Sequence, residues 1–135
     1  MEQTLPTRGE MERSLSQHIQ AFYRNKLGCS TGKINCHILN NQVAIAIENS
    51  ITPIEKMLDN PDDCEFRRDL RNRIDTIVKR ELLSELETVL KVKVVDMTIN
   101  TTLDNNFTGV VVLLSASPLV RLPKQVSRSR SNKKS

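Results

Sequence analysis

A long run of regularly spaced apolar residues in the second half of the chain constrains the fold more than any other feature. At 3.6 residues per turn, the spacing between residues 62 and 90 predicts an amphipathic helix of roughly eight turns. Asp62 and Asp63 stand where acidic residues favour a helix start. A helix of this length needs an apolar layer to pack against. Its apolar residues are Phe66, Leu70, Ile74, Ile77, Val78, Leu82, Leu86, Val89 and Leu90.

A second amphipathic helix is predicted near the start of the chain, over residues 11–27. Its apolar positions recur every three or four residues, as one helix face requires. Gly28 follows as a natural stop, because the residue after a helix often adopts a left-handed conformation. The apolar positions are Met11, Leu15, Ile19, Phe22, Tyr23 and Leu27.

Two β-hairpins are predicted from alternating apolar and polar residues. The first joins residues 33–39 to residues 42–49 through Asn40 and Asn41, and asparagine tolerates the positive φ of a tight turn. The second joins residues 91–102, with Val95, Met97, Ile99 and Thr101 on one face, to residues 107–115. The continuously apolar run 110–114 predicts a central strand that is covered on both faces.

A short helix is predicted between the hairpins, because Thr52, Pro53 and Glu55 have the spacing of a helix start. Thr52 can cap the helix, Pro53 fits its first turn, and Glu55 can complete a capping box. The helix is expected to run to about residue 58. The side chains expected to face inward are Ile51, Ile54, Met57 and Leu58.

The predicted element order is α-β-β-α(short)-α-β-β. It favours a two-layer α+β fold with the two main helices on one face of a four-stranded, mainly antiparallel sheet. We expect residues 1–10 to be a flexible lead, residues 11–117 to form the domain, and residues 118–135 to be a disordered basic tail. Such a sheet keeps one face and two edges uncovered, so a homodimer is also expected.

The net charge of +4 is concentrated at the C-terminal end. Residues 121–135 contain six basic residues and no acidic one, which leaves 14 basic against 16 acidic residues in residues 1–120. The domain therefore does not have the charge of a nucleic-acid-binding surface, whereas the tail suits anionic lipid, nucleic acid or an acidic partner. The tail candidates for such contacts are Arg121, Lys124, Arg128, Arg130, Lys133 and Lys134.

No residue pattern in the chain matches a known catalytic, metal or nucleotide motif. Cys29, Cys36 and Cys64 are odd in number and lack CxxC spacing, which indicates free thiols and a reducing compartment. His18 and His37 belong to no nucleophile–base signature, and no glycine-rich phosphate loop occurs. We therefore expect a protein that is not an enzyme and has no catalytic residue, metal or cofactor.

Three arginines cluster near the start of the long helix. Arg67 and Arg71 are neighbours on one helix face, and Arg68 lies about 100° away. The cluster is either a solvated face with acidic partners or a contact site for an anion or a partner protein.

The residues from Ser14 to Leu114 resemble the MpsC family. The resemblance is carried by Gly28 and Gly32 at the glycine turn, by the run Ile51–Leu58 around Thr-Pro-x-Glu, and by the strand 91–95. The chain departs from the family at the glycine turn, which reads Gly-Cys-Ser-Thr-Gly where the family more often has an arginine. The basic tail is also not a general family feature.

The resemblance implies an accessory role beside a membrane system that translocates cations, generates a membrane potential and is linked to inorganic carbon accumulation. No apolar run approaches the roughly 20 residues that span a bilayer, so we expect a cytoplasmic protein that is at most peripheral to the membrane. Two alternatives stay open: a nucleic-acid- or ribosome-associated module that uses the basic tail, and a small enzyme with an unrecognised site.

Overall fold

The computed structural model describes residues 4–122, which form one α+β unit with the element order that the sequence predicts. Two long helices flank a first hairpin and precede a second one. A short helix and a 3₁₀ turn at Pro61–Asp63 connect the first hairpin to the second long helix. The elements are α1 (Arg8–Lys26), β1 (Ile34–Leu39), β2 (Gln42–Glu48), α2 (Pro53–Lys56), α3 (Cys64–Leu90), β3 (Val94–Thr102) and β4 (Phe107–Leu114).

The four strands form one antiparallel sheet with the order β1-β2-β4-β3. The second strand of each hairpin lies at the centre, where β2 pairs with β4 and Ala44 stands opposite Val111. The strands β1 and β3 form the two edges. The sheet is therefore built from two hairpins joined through a central pair.

One face of the sheet, which we call the inner face, carries the core of the molecule. Its side chains alternate along the strands, as a half-buried sheet requires. Both long helices pack on this face, as predicted, with α1 against β1 and α3 against β3, and they contact each other. The buried apolar strand residues are Cys36, Ile38, Val43, Ile45, Ile47, Met97, Val110, Val112 and Leu114.

The opposite face of the sheet, the outer face, is not covered by any helix of residues 4–122. On the central strand β4, Val111 is 58% exposed and Leu113 is 39% exposed. Both long helices lie on the inner face, so in residues 4–122 the central strand is covered on one face, and cover of its other face by a second copy stays a prediction. The outer-face residues are Asn35, His37, Leu39, Gln42, Ala44, Ala46, Glu48, Asp96, Thr98, Asn100, Thr102, Phe107, Gly109, Val111 and Leu113.

The helix α1 begins three residues earlier than predicted. The Thr7 side chain accepts a hydrogen bond from the Glu10 N–H at 3.1 Å, and the Glu10 carboxylate accepts one from the Thr7 N–H at 2.9 Å. This capping box supplies partners for N–H groups of the first turn. The helix ends as predicted, because Gly28 follows the C-cap with a φ of 60°.

Two apolar patterns depart from their predicted burial. A β-bulge between Val94 and Asp96 shifts the register of β3, which leaves Val95 60% exposed although Met97 is buried. The start of α3 and the short helix α2 also carry apolar residues that the sequence pattern placed on inward faces but that the structure exposes. Their exposed apolar side chains include Ile54, Met57 and Phe66.

Part of the predicted tail contacts the start of the chain. The Arg121 N–H donates to the Pro6 carbonyl at 2.8 Å, and Arg121 and Thr7 form an isolated parallel bridge. The Arg121 guanidinium lies 3.6 Å from the Glu10 carboxylate. The other basic residues named for the tail, Lys124, Arg128, Arg130, Lys133 and Lys134, lie outside the described residues.

Candidate functional site

The most concentrated set of buried polar groups lies where the short helix α2 meets α3. Thr52 and Glu55 form the capping box that the sequence predicts. The Glu55 carboxylate accepts from the Thr52 N–H at 2.9 Å and from its hydroxyl at 2.8 Å, and Thr52 Oγ1 accepts from the Glu55 N–H at 3.4 Å. Pro53 occupies the first turn of the helix. The Thr-Pro-x-Glu run therefore caps the N-terminus of α2, and both capping residues are buried.

Glu55 also forms a buried ion pair with Arg71 of α3. The glutamate is fully buried and the arginine is only 5% exposed. The Arg71 Nε donates to Glu55 Oε2 at 2.7 Å, and a second guanidinium nitrogen donates to Glu55 Oε1. This two-point geometry matches the fork of the guanidinium to the two carboxylate oxygens. The pair thus fixes α2 to α3 by direct contact.

A chain of hydrogen bonds continues from Arg71 to the sheet. Arg71 Nη1 donates to Asp75 Oδ1 at 2.9 Å, and the Thr101 hydroxyl donates to the same carboxylate at 3.2 Å. The hydroxyls of Thr101 and Thr108 are 2.7 Å apart, as are those of Thr108 and Ser50. These contacts tie α3 to both strands of the second hairpin and to the loop after β2.

Burial alone would lower the pKa of Arg71, but its hydrogen bonds to the carboxylates of Glu55 and Asp75 outweigh that effect and raise it. Arg71 therefore remains a cation inside the protein. One guanidinium, that of Arg71, therefore bridges two carboxylates, and these contacts form a structural joint between α2 and α3.

Tyr23 of α1 borders the same cluster. Its hydroxyl is buried beside Thr108 and forms no hydrogen bond of ordinary geometry with any residue between 4 and 122. Burial raises the pKa of Tyr23, so the phenol stays neutral at physiological pH. Tyr23 contributes packing and a neutral donor rather than a reactive phenolate.

The glycine turn brings its backbone close to the end of β2. A Cβ atom added at Gly32 would lie 2.9 Å from the Asn49 side-chain nitrogen and 3.2 Å from the Glu48 Cβ. Between the two glycines, the Cys29 thiol donates to the carbonyls of Asn49 and Ile51 at 3.4 and 3.5 Å. The turn is therefore a packed connection between α1 and the loop that leads to α2.

The structure separates the three arginines that the sequence grouped as a contact site. Arg71 points inward to Glu55, so it is not available to an external anion or partner. Arg67 and Arg68 instead line a cavity of about 340 Å³ between the start of α3 and the turn after β3. Only these two of the three remain candidates for an external contact.

The sequence patterns above did not predict the ion pair between Arg71 and Glu55, although the spacing of apolar residues in α3 indicates that Arg71 is buried. Arg71 lies three residues before Ile74, and buried residues then follow at four-residue steps up to Leu90. Arg71 therefore extends the buried row of α3 by one turn. A cation in a buried row requires an acidic partner, and Glu55 of the nearest capping box is the candidate.

The remaining titratable residues of the described part of the chain lie apart from this cluster. His18 Nδ1 lies 2.8 Å from Glu85 Oε1 in an open groove between α1 and α3. The three cysteines are free, and burial raises the pKa of the Cys29 and Cys36 thiols. Within residues 4–122, no cluster of three or more histidine, cysteine, aspartate or glutamate residues has metal-binding geometry.

Within the same residues, no helix combines the length and apolar character that crossing a membrane requires. Residues 7–116 match the sequence model of a protein family described as "Na+-translocating membrane potential-generating system (MpsC)". Neither a curated protein nor a solved structure matches the chain.

Proposed function

Because the chain belongs to the MpsC family, we propose that it is a non-enzymatic accessory protein of a Na⁺-translocating, membrane-potential-generating system. The observation that carries this proposal is the family match, which covers the whole folded unit from the cap of α1 to the end of β4. In this proposal the protein acts from the cytosol through contacts with other proteins, at the periphery of the membrane. The free cysteines are consistent with a reducing compartment.

The buried polar cluster supports a role that does not involve catalysis. Glu55 and Arg71 bind each other at short distance, and Asp75 and Thr101 complete the set. Catalytic groups need access to a substrate and pKa values matched to a proton transfer. Here the acidic and basic groups stabilise the junction between α2 and α3 instead.

The protein is further proposed to work as a homodimer in which the outer faces of two sheets pack together. The centre of that face is flat, because Ala44, Ala46 and Gly109 carry little or no side chain and the ring of Phe107 lies over Gly109. Val111 and Leu113 add apolar surface beside them. Small central residues allow two sheets to approach to roughly 10 Å.

The charges and the size of the outer face also suit a second copy of the chain. Glu48 and Asp96 lie toward the margins of the face, so like charges do not meet at its centre. Four strands at about 4.8 Å spacing and about eight residues at 3.3 Å cover roughly 500 Å², so pairing two faces removes on the order of 1,000 Å² from water. That area is at the threshold of about 1,000 Å² for a biological interface and below the roughly 1,200 Å² of stable complexes, so the dimer is expected to be weak.

The sheet edges favour packing of faces over pairing of edges. On the edge strand β1, the Ile38 N–H donates to the Glu12 carboxylate at 2.8 Å, and the Ile34 carbonyl accepts from the Ser16 hydroxyl at 3.1 Å. Side chains of α1 therefore occupy backbone groups that an added strand would need. On the other edge, the Asp96 side chain accepts from the Met97 N–H at 2.8 Å.

Light scattering of the purified full chain tests the dimer. We expect twice the chain mass of 15.4 kDa at micromolar concentration. Val111→Asp buries a charge at the centre of the interface and should give monomers with an unchanged far-UV spectrum. Asn72→Asp, at an exposed position of α3 away from the outer face, is the control and should stay dimeric. A monomeric wild-type chain would contradict the proposed interface.

Membrane vesicles that contain the membrane proteins of the same system test the accessory role. We expect the chain to co-sediment with these vesicles and to change the Na⁺-dependent potential reported by a voltage-sensitive dye. Vesicles without those proteins are the control. A chain that binds both vesicle types equally, or leaves the potential unchanged, would argue against the proposal, and preferential binding to RNA would favour a nucleic-acid-associated module.

A further inference from the structure

A cavity at the start of α3 combines features that the proposed function does not use. It has a volume of about 340 Å³ and lies between the α2–α3 connection and Leu103 of the turn that follows β3. Two arginines of α3, Arg67 and Arg68, line it together with Asn60 and Cys64. Its volume lies at the lower end of the range for small-molecule sites.

The two arginines lack the carboxylate partners that arginines in folded proteins ordinarily find. Among residues 4–122, neither Arg67 nor Arg68 has a carboxylate oxygen within 4.0 Å, whereas Arg71 one turn further along has two. The Arg67 Nε atom is buried and has no hydrogen-bond acceptor in the described part of the chain. A buried donor without an acceptor is uncommon, because burial removes the water that would otherwise accept its hydrogen bond.

We propose that this cavity binds the phosphate group of a small molecule or lipid headgroup through Arg67 and Arg68. The planar guanidinium group of each arginine can donate to two phosphate oxygens at once. Asn60 also lines the cavity, and an asparagine amide is a hydrogen-bond donor. The arrangement gives a compact oxyanion several donors from two adjacent segments.

The buried joint described above holds this site in place. Arg67 and Arg71 lie one turn apart on α3, and Arg71 is fixed by Glu55 and Asp75. The backbone that carries the two cavity arginines is therefore anchored next to α2 before any ligand binds. An anchored site loses less conformational entropy on binding than a mobile one.

An acidic residue at the same cavity makes a distinguishing prediction. Asp59 also lines the cavity, yet it forms no ion pair with Arg67 or Arg68. Its carboxylate would repel a bound phosphate, so Asp59→Asn should tighten binding. If anions were attracted only by the general surface charge, removing any nearby acidic residue would tighten phosphate binding equally, whether or not that residue lines the cavity.

The exposed Cys64 thiol provides a local probe of occupancy. Cys64 lines the cavity, whereas the other two cysteines are buried. Iodoacetamide, which is uncharged, should alkylate Cys64 first. We expect inorganic phosphate to slow that reaction in the wild-type chain, and chloride at equal ionic strength to leave it unchanged.

Substitution of the two arginines tests whether they cause the phosphate protection of Cys64 from alkylation. Arg67→Gln and Arg68→Gln should each weaken phosphate protection by about tenfold, because a hydrogen bond to a charged group is worth roughly one decade of affinity. Arg67→Lys keeps the charge but loses the fork and should also weaken it. Arg80→Gln, an exposed arginine on the same helix, should behave as wild type. Circular dichroism establishes that each variant is folded.

Separate ligands distinguish a free phosphate from a headgroup. The arms of the experiment are inorganic phosphate, glycerol 3-phosphate and vesicles that contain phosphatidic acid, with neutral phosphatidylcholine vesicles as the control. Protection by the soluble ligands alone indicates a metabolite site, and protection by phosphatidic acid alone indicates a headgroup site. Equal protection by chloride, or full protection in Arg67→Gln, would overturn the proposal, whatever the outcome for the membrane system.

Discussion

Arg71 occupies a helix position at which the rest of the buried row carries aliphatic side chains. A buried cation is tolerated only where carboxylates and hydrogen bonds replace the lost water, and Glu55, Asp75 and Thr101 supply them. The cost of removing either partner is therefore larger than the strength of the pair itself. At the residue scale, the joint between α2 and α3 depends on two side chains that must be present together.

Arg71→Met should destabilise the protein by about 3–5 kcal/mol, because it leaves the Glu55 carboxylate buried without a counter-charge. The double variant Glu55→Gln/Arg71→Met should recover much of that loss, since glutamine can still accept the cap hydrogen bonds and carries no charge. Urea unfolding measures both changes. Arg73→Met, at an exposed position on the same helix, is the control. If the Arg71→Met chain were as stable as this control, the ion pair would not contribute to the stability of the fold.

The buried Tyr23 hydroxyl predicts a loss of stability at alkaline pH. Burial raises its pKa, so the folded state keeps the phenolic proton where the unfolded chain releases it, near an ordinary pKa of about 10. The free energy of unfolding should therefore decrease as the pH rises above about 10, by up to about 1.4 kcal/mol per pH unit. Tyr23→Phe removes this contribution. Parallel denaturant titrations that give the same pH dependence for both chains would contradict the assignment.

The short helix α2 shows how a very short element can be held by its surroundings. Four residues are far too few for a stable isolated helix. Its start is stabilised by the Thr52–Glu55 capping box, and Glu55 attaches it to α3. The exposure of Ile54 and Met57 shows that apolar burial does not hold it in place. At the element scale, polar contacts decide the position of α2.

Thr52→Ala should cost about 0.5–2 kcal/mol, because it removes a cap and the hydroxyl that donates to Glu55. The midpoint of urea unfolding should fall while the dependence on denaturant stays the same. Thr76→Ala, at an exposed threonine of α3 whose hydroxyl bonds the Asn72 carbonyl, should change stability by less than about 0.5 kcal/mol. Equal midpoints for the two variants would rule out a stabilising role of the cap.

At the scale of the whole molecule, the two ends of the described chain meet. Arg121 bonds the backbone of Leu5 and Pro6 and lies near the Glu10 carboxylate, so it belongs to the folded unit. Five further basic residues follow Arg121 in the sequence, between positions 124 and 134. Arg121 therefore has a structural contact, and any binding of the C-terminal end to an anionic surface is expected to depend on the five basic residues that follow it in sequence.

Deletion of residues 123–135 should leave the melting temperature nearly unchanged and remove salt-sensitive binding to anionic surfaces. The deletion removes five positive charges, and each contributes up to about 1 kcal/mol beside an anionic membrane. Co-sedimentation with anionic vesicles at low and physiological salt, with RNA as competitor, measures the effect. The matched variant Arg121→Gln should lower the melting temperature but retain binding. Undiminished binding after deletion would assign the contact to residues 1–122.

Local patterns in the sequence determined which elements form. The steps of three and four residues in α1 and α3 follow from helical geometry, and the alternation in the hairpins follows from the pleat of a strand. The capping box at Thr52 and the left-handed residue at Gly28 likewise depend only on neighbouring residues. Such features are readable in the sequence because their cause lies within a few residues.

Only the tertiary structure decided which side of each element is covered and which charges meet. The central strand β4 is apolar on both faces, yet both long helices pack on the same side and leave Val111 exposed. Arg67 and Arg71 have the same residue type and adjacent places on one helix, but only Arg71 reaches Glu55, 16 residues away in sequence. Local periodicity carries no information about such distant contacts, because they depend on how the layers stack after the elements have formed.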